Sequence, residues 1–569
     1  MERATGLARW VPGVVLLRGR RGADLHRDVV AGVVLAALLV PQGMAYAQLA
    51  GVPPVTGLYA TLIPLVVYFL LGPSRILVLG PDSAVSPLVA AAIIPLAVPG
   101  DASTRIALAG MLAILVGAIM LAGGIARFGF VTELLSMPVR LGYLMGIAVT
   151  VVVAQLPKLF GFSIDTESFL LGVHDFVTGL DETNPTALAI GAGSLAVILV
   201  LRQVAPRIPG VFLAVVGATA LVAVLGLADE VPVVGSVPAG LPALNVPDVA
   251  VADLTALLPA AVGIAFVAFA DTSVLSRSYA GRLRQEVDQN QELGVLGVAN
   301  IATGFFQGFP LSTSSSRTAV AEDVGARSQI TGLVGAGILA VLLIVGTGLV
   351  HDLPQATLAA IVIVAVAGLV DIGAARRLYR WRRSEFTLAM VSFAGVAVLG
   401  VLWGVGVAIA LSLLNFIRRA WRPHDAVLAR VDQLKGYHDI ERHPDARPIP
   451  GLVLYRFDAP LFFANVDHFR ERIRSLARPG EVGWIVVAAE PITDVDATAG
   501  ETLQVLNDEL DALGIELAFA ELKDPVRDQL RRYGLEDAIG ADRFFPTLGV
   551  AVAGYLAHTG VEWVDWEDR

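Results

Sequence analysis

Residues 1–420 consist largely of long apolar runs that follow one another with few charges between them. The runs at 29–40, 108–121 and 211–225 contain no charged side chain. Over the whole chain 55% of the residues are hydrophobic and 16% are charged, whereas soluble proteins contain about 25% charged residues. A membrane-spanning helix needs about 20 apolar residues, so this region has room for roughly a dozen spans or more in a lipid bilayer.

The arginines of this region alternate between loops. Lys and Arg concentrate in cytoplasmic loops, so every second loop should be basic if the Arg-rich N-terminus is cytoplasmic. The basic loops contain, in order, Arg75; Arg127 and Arg140; Arg202 and Arg207; Arg277, Arg282 and Arg284; Arg327; Arg376, Arg377, Arg380, Arg382 and Arg383; Arg418, Arg419 and Arg422. The intervening loops are mostly neutral or acidic. This alternation predicts an even number of about 14 spans, with both termini in the cytoplasm.

The basic N-terminus is not followed by a small-residue cleavage site, so we predict a cytoplasmic segment at 1–27 and no cleaved signal peptide. Lysine occurs only at Lys158, Lys435 and Lys523, and arginine supplies the other basic side chains. This usage indicates a GC-rich bacterium. We therefore expect a multi-pass protein of a bacterial inner membrane.

Two short segments break the apolar pattern at corresponding places in the two halves. Residues 80–86 and 308–317 each interrupt an apolar run with Gly and Pro and resume it with hydroxyl residues. In a bilayer, such breaks occur where the freed backbone groups line a cavity or are buried in protein. Each segment falls third in a group of seven spans, which predicts a seven-plus-seven inverted repeat with two half-helices. The alternative is that both are ordinary Gly-Pro kinks.

The half-helices are predicted to begin near Ser83 and Ser312. A helix N-terminus offers unpaired N–H groups and a partial positive charge, so two such ends meeting near the bilayer midplane would bind a small oxyanion or halide. Hydroxyl groups that could add donors belong to Ser83, Ser86, Ser312, Thr313 and Ser314. The alternative is that these hydroxyls only hydrogen-bond backbone carbonyls.

Polar side chains also occur inside apolar spans. Gln42 and Tyr46 lie four residues apart on one helical face, and we expect them to line the substrate cavity, the alternative being helix–helix hydrogen bonding. An ionisable residue inside a span indicates a functional site, so Asp271 is the candidate for ion coupling, with Arg317 as its expected partner. The alternatives are a structural Asp271–Arg317 ion pair, or a position of Asp271 at the cytoplasmic interface.

The composition becomes more polar near residue 420. The sequence predicts a transmembrane domain at 28–420, a polar linker at 421–450 and a small α/β domain at 451–569. Within the last of these, strands are expected at 451–457, 484–489 and 515–520, and helices at 500–513 and from Asp524 onwards.

Thr498 and Asp496 lie where a strand leads into a helix of this domain. They are interpreted either as a helix cap or as a regulatory site with a phosphorylatable hydroxyl. No metal-ligand spacing, nucleophile–base constellation or phosphate-binding glycine loop occurs in the sequence, so we expect neither an enzyme nor a metal or other cofactor.

Several stretches resemble the sulfate permease (SulP) family of anion transporters, the bacterial relatives of solute carrier family 26. They are VPQGMAYA at 40–47, GVPPVTGLY at 51–59, the Gly-Pro break at 80–81 and GFPLSTSSSRTA at 308–319. DVDAT at 494–498 is similar to the strand-to-helix signature of a STAS domain. The resemblance covers nearly the whole chain in the expected order.

The resemblance implies a seven-plus-seven inverted repeat divided into core and gate domains, a homodimer, an elevator-like movement of the core and a cytoplasmic STAS domain. It also implies an anion site between the third and tenth segments. The corresponding residues are Ser83, Ala84, Ser86, Ser312, Thr313, Ser314, Ser315, Ser316 and Arg317.

The family carboxylate of the eighth span corresponds to Asp271, although many members have Glu there. Leu275 occupies the position at which sodium-coupled bicarbonate members have Thr, which favours H⁺ over Na⁺ as the coupling ion. Thr498 replaces the phosphorylatable Ser of soluble STAS relatives.

The sequence thus predicts proton-coupled secondary transport of a small anion, with sulfate, bicarbonate, chloride and dicarboxylates all open. Cytoplasmic proteins are expected partners of the STAS domain, and nucleic acid is not. The alternatives are a passive anion channel or exchanger, in which Asp271 is structural, and a sensor that signals through 451–569 with vestigial transport.

A nucleobase carrier is a further rival, because such carriers share the repeat architecture. It would require acidic residues in both the eighth and tenth spans and no STAS domain. The tenth segment begins with five successive hydroxyl residues and no carboxylate, which argues against this rival.

Overall fold

The computed structural model describes residues 22–98, 100–130, 136–164, 169–205, 208–283 and 286–568. Most of the predicted cytoplasmic segment 1–27 therefore lies outside the described residues, as do Arg207 and Arg284 of the predicted basic loops. The chain divides into two compact units, Met1–Leu413 and Leu414–Arg569.

The first unit is almost entirely helical. Its elements are α1 Gly22–Leu49, α2 Pro54–Leu71, β1 Leu79–Gly80, α3 Ser86–Ile93, α4 Ala102–Ile125, α5 Met137–Phe160, α6 Phe169–Thr178, α7 Pro185–Val204, α8 Gly210–Leu225, α9 Val251–Leu283, α10 Gln289–Phe305, β2 Ser312–Thr313, α11 Ser315–Asp323, α12 Ile330–Val345, α13 Gln355–Ala367, α14 Ile372–Trp381 and α15 Arg383–Leu399, and α16 Val401–Trp421 begins in it.

Eight helices in the described part of the chain are long and apolar enough to cross a membrane. Other apolar helices are shorter, such as α8 and α12 with 16 residues each. The count of about 14 spans therefore stays a prediction, since length and composition alone do not establish it.

The two interrupted segments pair with each other. β1 and β2 form an antiparallel pair in which Leu79 lies opposite Thr313 and Gly80 opposite Ser312. The predicted half-helices are present as α3 and α11, which begin at Ser86 and Ser315. Both begin later than predicted because a turn at 83–85 and the strand at 312–313 come first.

Helices α4 and α10 pack against each other through glycines spaced seven residues apart. Gly110 and Gly117 of α4 face Gly304 and Gly297 of α10. A Cβ atom on Gly117 would lie 2.5 Å from the carbonyl oxygen of Gly297, and one on Gly297 would lie 2.7 Å from that of Gly117. Small residues allow membrane helices to approach closely, which compensates for the absence of a hydrophobic driving force in lipid.

The second unit, apart from the end of α16, is an α/β domain. Its elements are β3 Asp425–Arg430, β4 Tyr437–Asp439, β5 Leu452–Phe457, α17 Val466–Leu476, β6 Trp484–Ala488, α18 Ala497–Ala512, β7 Glu516–Ala520, α19 Asp524–Arg532, α20 Leu535–Ile539, β8 Phe544–Phe545 and α21 Leu548–Thr559. The strand order is β4-β3-β5-β6-β7-β8, with β5, β6, β7 and β8 parallel to one another and β3 antiparallel to both β4 and β5.

Both faces of this sheet are covered, because successive side chains point to opposite faces and both sets contain apolar residues. Tyr455 and Phe457 belong to one apolar cluster, and Leu452 and Leu454 belong to another. The strands and helices predicted within 451–569 correspond to β5, β6, β7, α18 and α19.

The prediction of a linker at 421–450 is wrong, because this range contains β3 and β4. β3 pairs with β5 from Asp425 opposite Phe457 to Leu428 opposite Leu454. Ala426 and Leu428 are buried in the core of the domain. The sheet therefore begins about 25 residues earlier than predicted, since pairing with a distant strand left little local signal.

The α4–α10 contact can be tested with Gly117→Ala. Alanine has a higher helix propensity than glycine, but its Cβ would force the two backbones apart. We expect this to lower the free energy of unfolding by about 1–3 kcal/mol. We expect a lower melting temperature in detergent than for the wild-type protein. The matched control is Gly193→Ala in α7, where an added Cβ meets nothing within 4 Å. Equal melting temperatures for both variants would contradict the close packing.

Candidate functional site

The backbone at the break is held by hydrogen bonds between the two segments. Beyond the β1–β2 pair, the amide of Ser314 donates to the carbonyl oxygen of Val78 at 3.0 Å. The amide of Val78 donates to the hydroxyl of Thr318 at 3.1 Å, and that hydroxyl donates to the carbonyl oxygen of Ser314. Backbone groups that the helices release are thereby satisfied inside the protein, as a bilayer requires.

One buried amide side chain holds the chain before each strand, Asn300 before β2 and Gln329 before β1. Asn300 of α10 accepts the amide of Leu311 at 3.0 Å and donates to its carbonyl oxygen at 3.3 Å. Gln329 donates to the carbonyl oxygens of Ser74 and Leu77, at 3.0 and 2.9 Å. The sequence analysis missed both residues, although a polar Asn within the apolar α10 was an available signal.

Gly80 of β1 and Arg317 of α11 are in close contact. Gly80 has φ +149°, a conformation that side-chain-bearing residues rarely adopt, and a Cβ there would lie 2.8 Å from Nη1 of Arg317. Arg317 is fully buried, and its Nη2 donates to the carbonyl oxygen of Pro81. Within the described residues, Nε and Nη1 of Arg317 have no hydrogen-bond partner.

A cavity of about 1000 Å³ lies where α3 and α11 begin. Seven residues predicted from the sequence line it: Gln42, Tyr46, Ser83, Asp271, Thr313, Ser315 and Ser316. Apolar side chains from α5, α8, α9 and α13 complete the wall. The structure thus brings together residues from both halves of the unit.

The other predicted substrate-binding residues are buried outside the cavity lining, and they are Ala84, Ser86, Ser312, Ser314 and Arg317. Ser314 is the N-cap of α11, with its hydroxyl accepting the amide of Arg317 at 3.5 Å. The amide of Ala84 donates to the Asp82 carboxylate at 3.0 Å. These residues shape the two helix starts, and their contact with an anion stays a prediction.

The predicted pairing of Asp271 with Arg317 is wrong. Asp271 lines the cavity, and its Oδ1 lies 3.9 Å from Nε of Arg140 in the first turn of α5. Sequence reasoning counted Arg140 only as a loop charge, because its proximity to α9 depends on tertiary packing. Thr272, next to Asp271, accepts a hydrogen bond from the hydroxyl of Thr313 at 3.2 Å, which joins α9 to β2.

The sequence analysis did not select three other charged residues that line the cavity: Asp82, Arg202 and Asp371. Asp82 lies within the interrupted segment itself, directly before Ser83. Asp371 is the N-cap of α14 and accepts the amide of Ala374 at 2.7 Å. The cavity therefore combines cationic groups, carboxylates and hydroxyls, which suits a charged ligand.

In the α/β domain, Asp496 is the N-cap of α18. Its Oδ1 accepts the amide of Ala499 at 2.8 Å, and its Oδ2 accepts the amide of Phe463 at 2.9 Å. Thr498 is exposed in the first turn of the same helix. A phosphate on an exposed hydroxyl near a helix N-terminus is electrostatically favourable. Regulation through Thr498 stays a prediction.

Comparison with known proteins identifies two family models in the chain. The model described as the sulfate permease family matches residues 25–392, and that of the STAS domain matches residues 443–551. A probable sulfate transporter of Mycobacterium tuberculosis is 44% identical over 551 residues, covering 96% of this chain and 98% of that protein. Human solute carrier family 26 member 6 is 34% identical over 474 residues, covering 79% of this chain and 62% of that protein.

The fold is also similar to that of a solved structure. The murine solute carrier 26 family member A9 anion transporter in the inward-facing state superposes with a TM-score of 0.90, covering 98% of this chain and 96% of that chain. The sequence identity is 23%, so this likeness concerns the fold alone.

The Gly80–Arg317 contact can be tested with Gly80→Ala. The new Cβ would add strain at positive φ and displace the guanidinium group. We therefore expect the free energy of unfolding to fall by about 1–3 kcal/mol or more. The control is Gly240→Ala, at φ +125° with nothing within 4 Å of an added Cβ. The melting temperature should fall further for Gly80→Ala, and an equal fall would assign the whole effect to backbone strain.

Proposed function

The chain belongs to the sulfate permease family of anion transporters, and we propose that it carries a small anion across a bacterial inner membrane by proton-coupled secondary transport. The observation that carries the proposal is the cavity into which the starts of α3 and α11 converge. Sulfate is the first candidate, because the 44% identical relative is described as a probable sulfate transporter. Bicarbonate, chloride and dicarboxylates are the other candidates.

The two helix starts supply the attraction for an anion. Unpaired N–H groups and the helix dipoles place partial positive charge at each start, so a bound anion needs no fixed counter-ion in contact with it. Ser83, Thr313, Ser315 and Ser316 present hydroxyl groups to the same cavity. Tyr46 and Gln42 lie on its α1 side, where they would orient the ligand.

Asp271 is the proposed proton-binding residue. When its carboxylate is ionised, it neutralises Arg140 at 3.9 Å. A proton on Asp271 would remove this attraction and leave the Arg140 charge available to an anion in the same cavity. Proton binding and anion binding would then favour each other, which is the condition for symport.

An elevator-like movement of a core that includes α3 and α11 would expose the site alternately to the two sides. The proposal also includes a homodimer, a cytoplasmic position of both termini and H⁺ rather than Na⁺ as the coupling ion. Like the elevator-like movement, these features are predictions from the sequence. The presence of Leu275 in the cavity wall supports H⁺, because its apolar side chain offers no oxygen ligand to Na⁺.

A passive channel or exchanger is the second candidate. The observation that favours it is the Asp271–Arg140 contact itself, since an ion pair of this kind could be purely structural. A sensor with vestigial transport is the third candidate. It requires that no anion is accumulated or equilibrated by the purified protein.

Uptake of radiolabelled sulfate into proteoliposomes, with the outside acidic, separates these candidates. A pH difference of one unit is worth about 1.4 kcal/mol for each coupled proton, or about tenfold in accumulation. We expect Asp271→Asn to lose the share of one proton, so its accumulation ratio should fall about tenfold per pH unit of gradient. The control is Asp371→Asn, another cavity carboxylate, which should accumulate sulfate as the wild-type protein does.

Unchanged accumulation by Asp271→Asn would overturn its assignment as the coupling residue. Equilibration without accumulation by the wild-type protein would favour the channel or exchanger. The absence of any flux, for bicarbonate, chloride and succinate as well as sulfate, would contradict transport and favour the sensor.

A further inference from the structure

Asp82 occupies the part of the site that the proposed function gives to the substrate. It lines the cavity, and its Oδ2 accepts the amide of Ala84 at 3.0 Å. Its backbone carbonyl accepts the amide of Ser86 at 3.0 Å, so Asp82 holds the turn at 83–85 that leads into α3. The carboxylate thus takes a backbone donor of this turn that would otherwise be available to an anion at the start of α3.

Charged and titratable groups of three helices interact with Asp82. Tyr46 of α1 and Arg317 of α11 interact with it electrostatically. Asp271 of α9 does so as well, and Asp271 is in turn held by Arg140 of α5. Arg317 gives its hydrogen bond to the carbonyl oxygen of Pro81 rather than to the carboxylate of Asp82. The region around Asp82 therefore contains a second carboxylate and two guanidinium groups.

Gln42 is an independent observation that this cavity wall contains an acceptor without a hydrogen-bond donor. It lines the cavity, and only 7% of its surface is exposed. Its Oε1 has no hydrogen-bond partner anywhere in the described ranges. A buried amide oxygen without a donor is costly. A hydroxyl group, a water molecule, a protonated carboxyl group or a protonated anion can donate to it, whereas a fully ionised anion cannot.

We infer that Asp82 is an internal competitor of the substrate anion. While ionised, its carboxylate occupies the turn that leads into α3 and repels an incoming anion. When a proton binds, the carboxyl group becomes neutral and the helix start becomes available to the substrate. One proton is therefore taken up by Asp82 for each anion bound, in addition to the proton assigned to Asp271. This inference rests on the proposed function.

The competing explanation is that Asp82 only stabilises the turn before α3. Asp and Asn side chains stabilise such turns by accepting a backbone amide two residues on, and Ser does so more weakly. Asp82→Asn and Asp82→Ser would therefore preserve the turn but remove the negative charge. Only the competitor role depends on that charge, so these substitutions separate the two explanations.

The experiment measures equilibrium binding of radiolabelled sulfate to the purified full-length protein as a function of pH. It uses the Asp271→Asn background, so that the proton bound by Asp271 does not contribute. We expect the Kd for sulfate to rise about tenfold per pH unit above the pKa of the Asp82 carboxyl group. With Asp82→Asn added, the Kd should become independent of pH and, at high pH, lower than in the parent.

The matched control adds Asp101→Asn instead. Asp101 caps α4 by accepting the amides of Ser103 and Thr104, but it does not line the cavity. Hydrogen bonds from the side chains of Ser103 and Thr104 lower the pKa of Asp101 to about 2, so it stays ionised throughout the measurement. This variant should keep the pH dependence of its parent.

Unchanged pH dependence in Asp271→Asn/Asp82→Asn, confirmed in the corresponding Ser variant, would overturn the inference and leave Asp82 as a residue that only stabilises the turn before α3. That result would not affect the proposed function, because sulfate would still bind. If the wild-type protein bound neither sulfate nor bicarbonate, chloride or succinate at any pH, the proposed function would fail, and the inference with it. The Ser variant also provides the measurement if the Asn variant does not fold.

Discussion

The antiparallel pairing of β1 with β2 is the interaction on which the site depends. Helices α3 and α11 are short because the chain before each of them is extended, and an extended backbone inside a membrane protein needs hydrogen-bond partners. Each segment is the partner of the other. The same pairing brings the starts of two half-helices, which are far apart in the sequence, to one cavity.

The residues around this pairing explain why Gly, Asn, Gln and Thr appear within apolar surroundings. Asn300 and Gln329 hold the chain before β2 and β1 through backbone hydrogen bonds. Thr318 continues the ladder by accepting the amide of Val78. Gly80 has no side chain and so leaves room for the buried guanidinium group of Arg317. The polar groups thus replace the hydrogen bonds that a continuous helix would have made.

An anion site in such a cavity must attract its ligand and also release it. Fixed guanidinium groups alone would bind an anion strongly at all times, whereas carboxylates that gain and lose protons make the attraction adjustable. In the proposed mechanism two carboxylates would do this. Asp271 would neutralise Arg140, and Asp82 would occupy the turn that leads into α3.

The sequence predicted the paired interruptions, the two half-helices and seven of the cavity-lining residues, because Gly, Pro and hydroxyl residues leave a local signal in an apolar span. It did not predict that Asp271 would meet Arg140, since that contact joins helices distant in sequence. Asp82 was not selected, although it directly precedes Ser83, which was. β3 and β4 were also assigned to a linker, because their pairing partners lie outside the segment.

The proposed transport depends on an anion that is held between the starts of α3 and α11. A structure of the protein determined with selenate, a heavier analogue of sulfate, would locate the ligand directly. We expect selenate density in contact with Ser83 and with Ser315 or Ser316, on the cavity side of the β1–β2 pair. Selenate bound elsewhere, with these helix starts empty at saturating concentration and low pH, would contradict it.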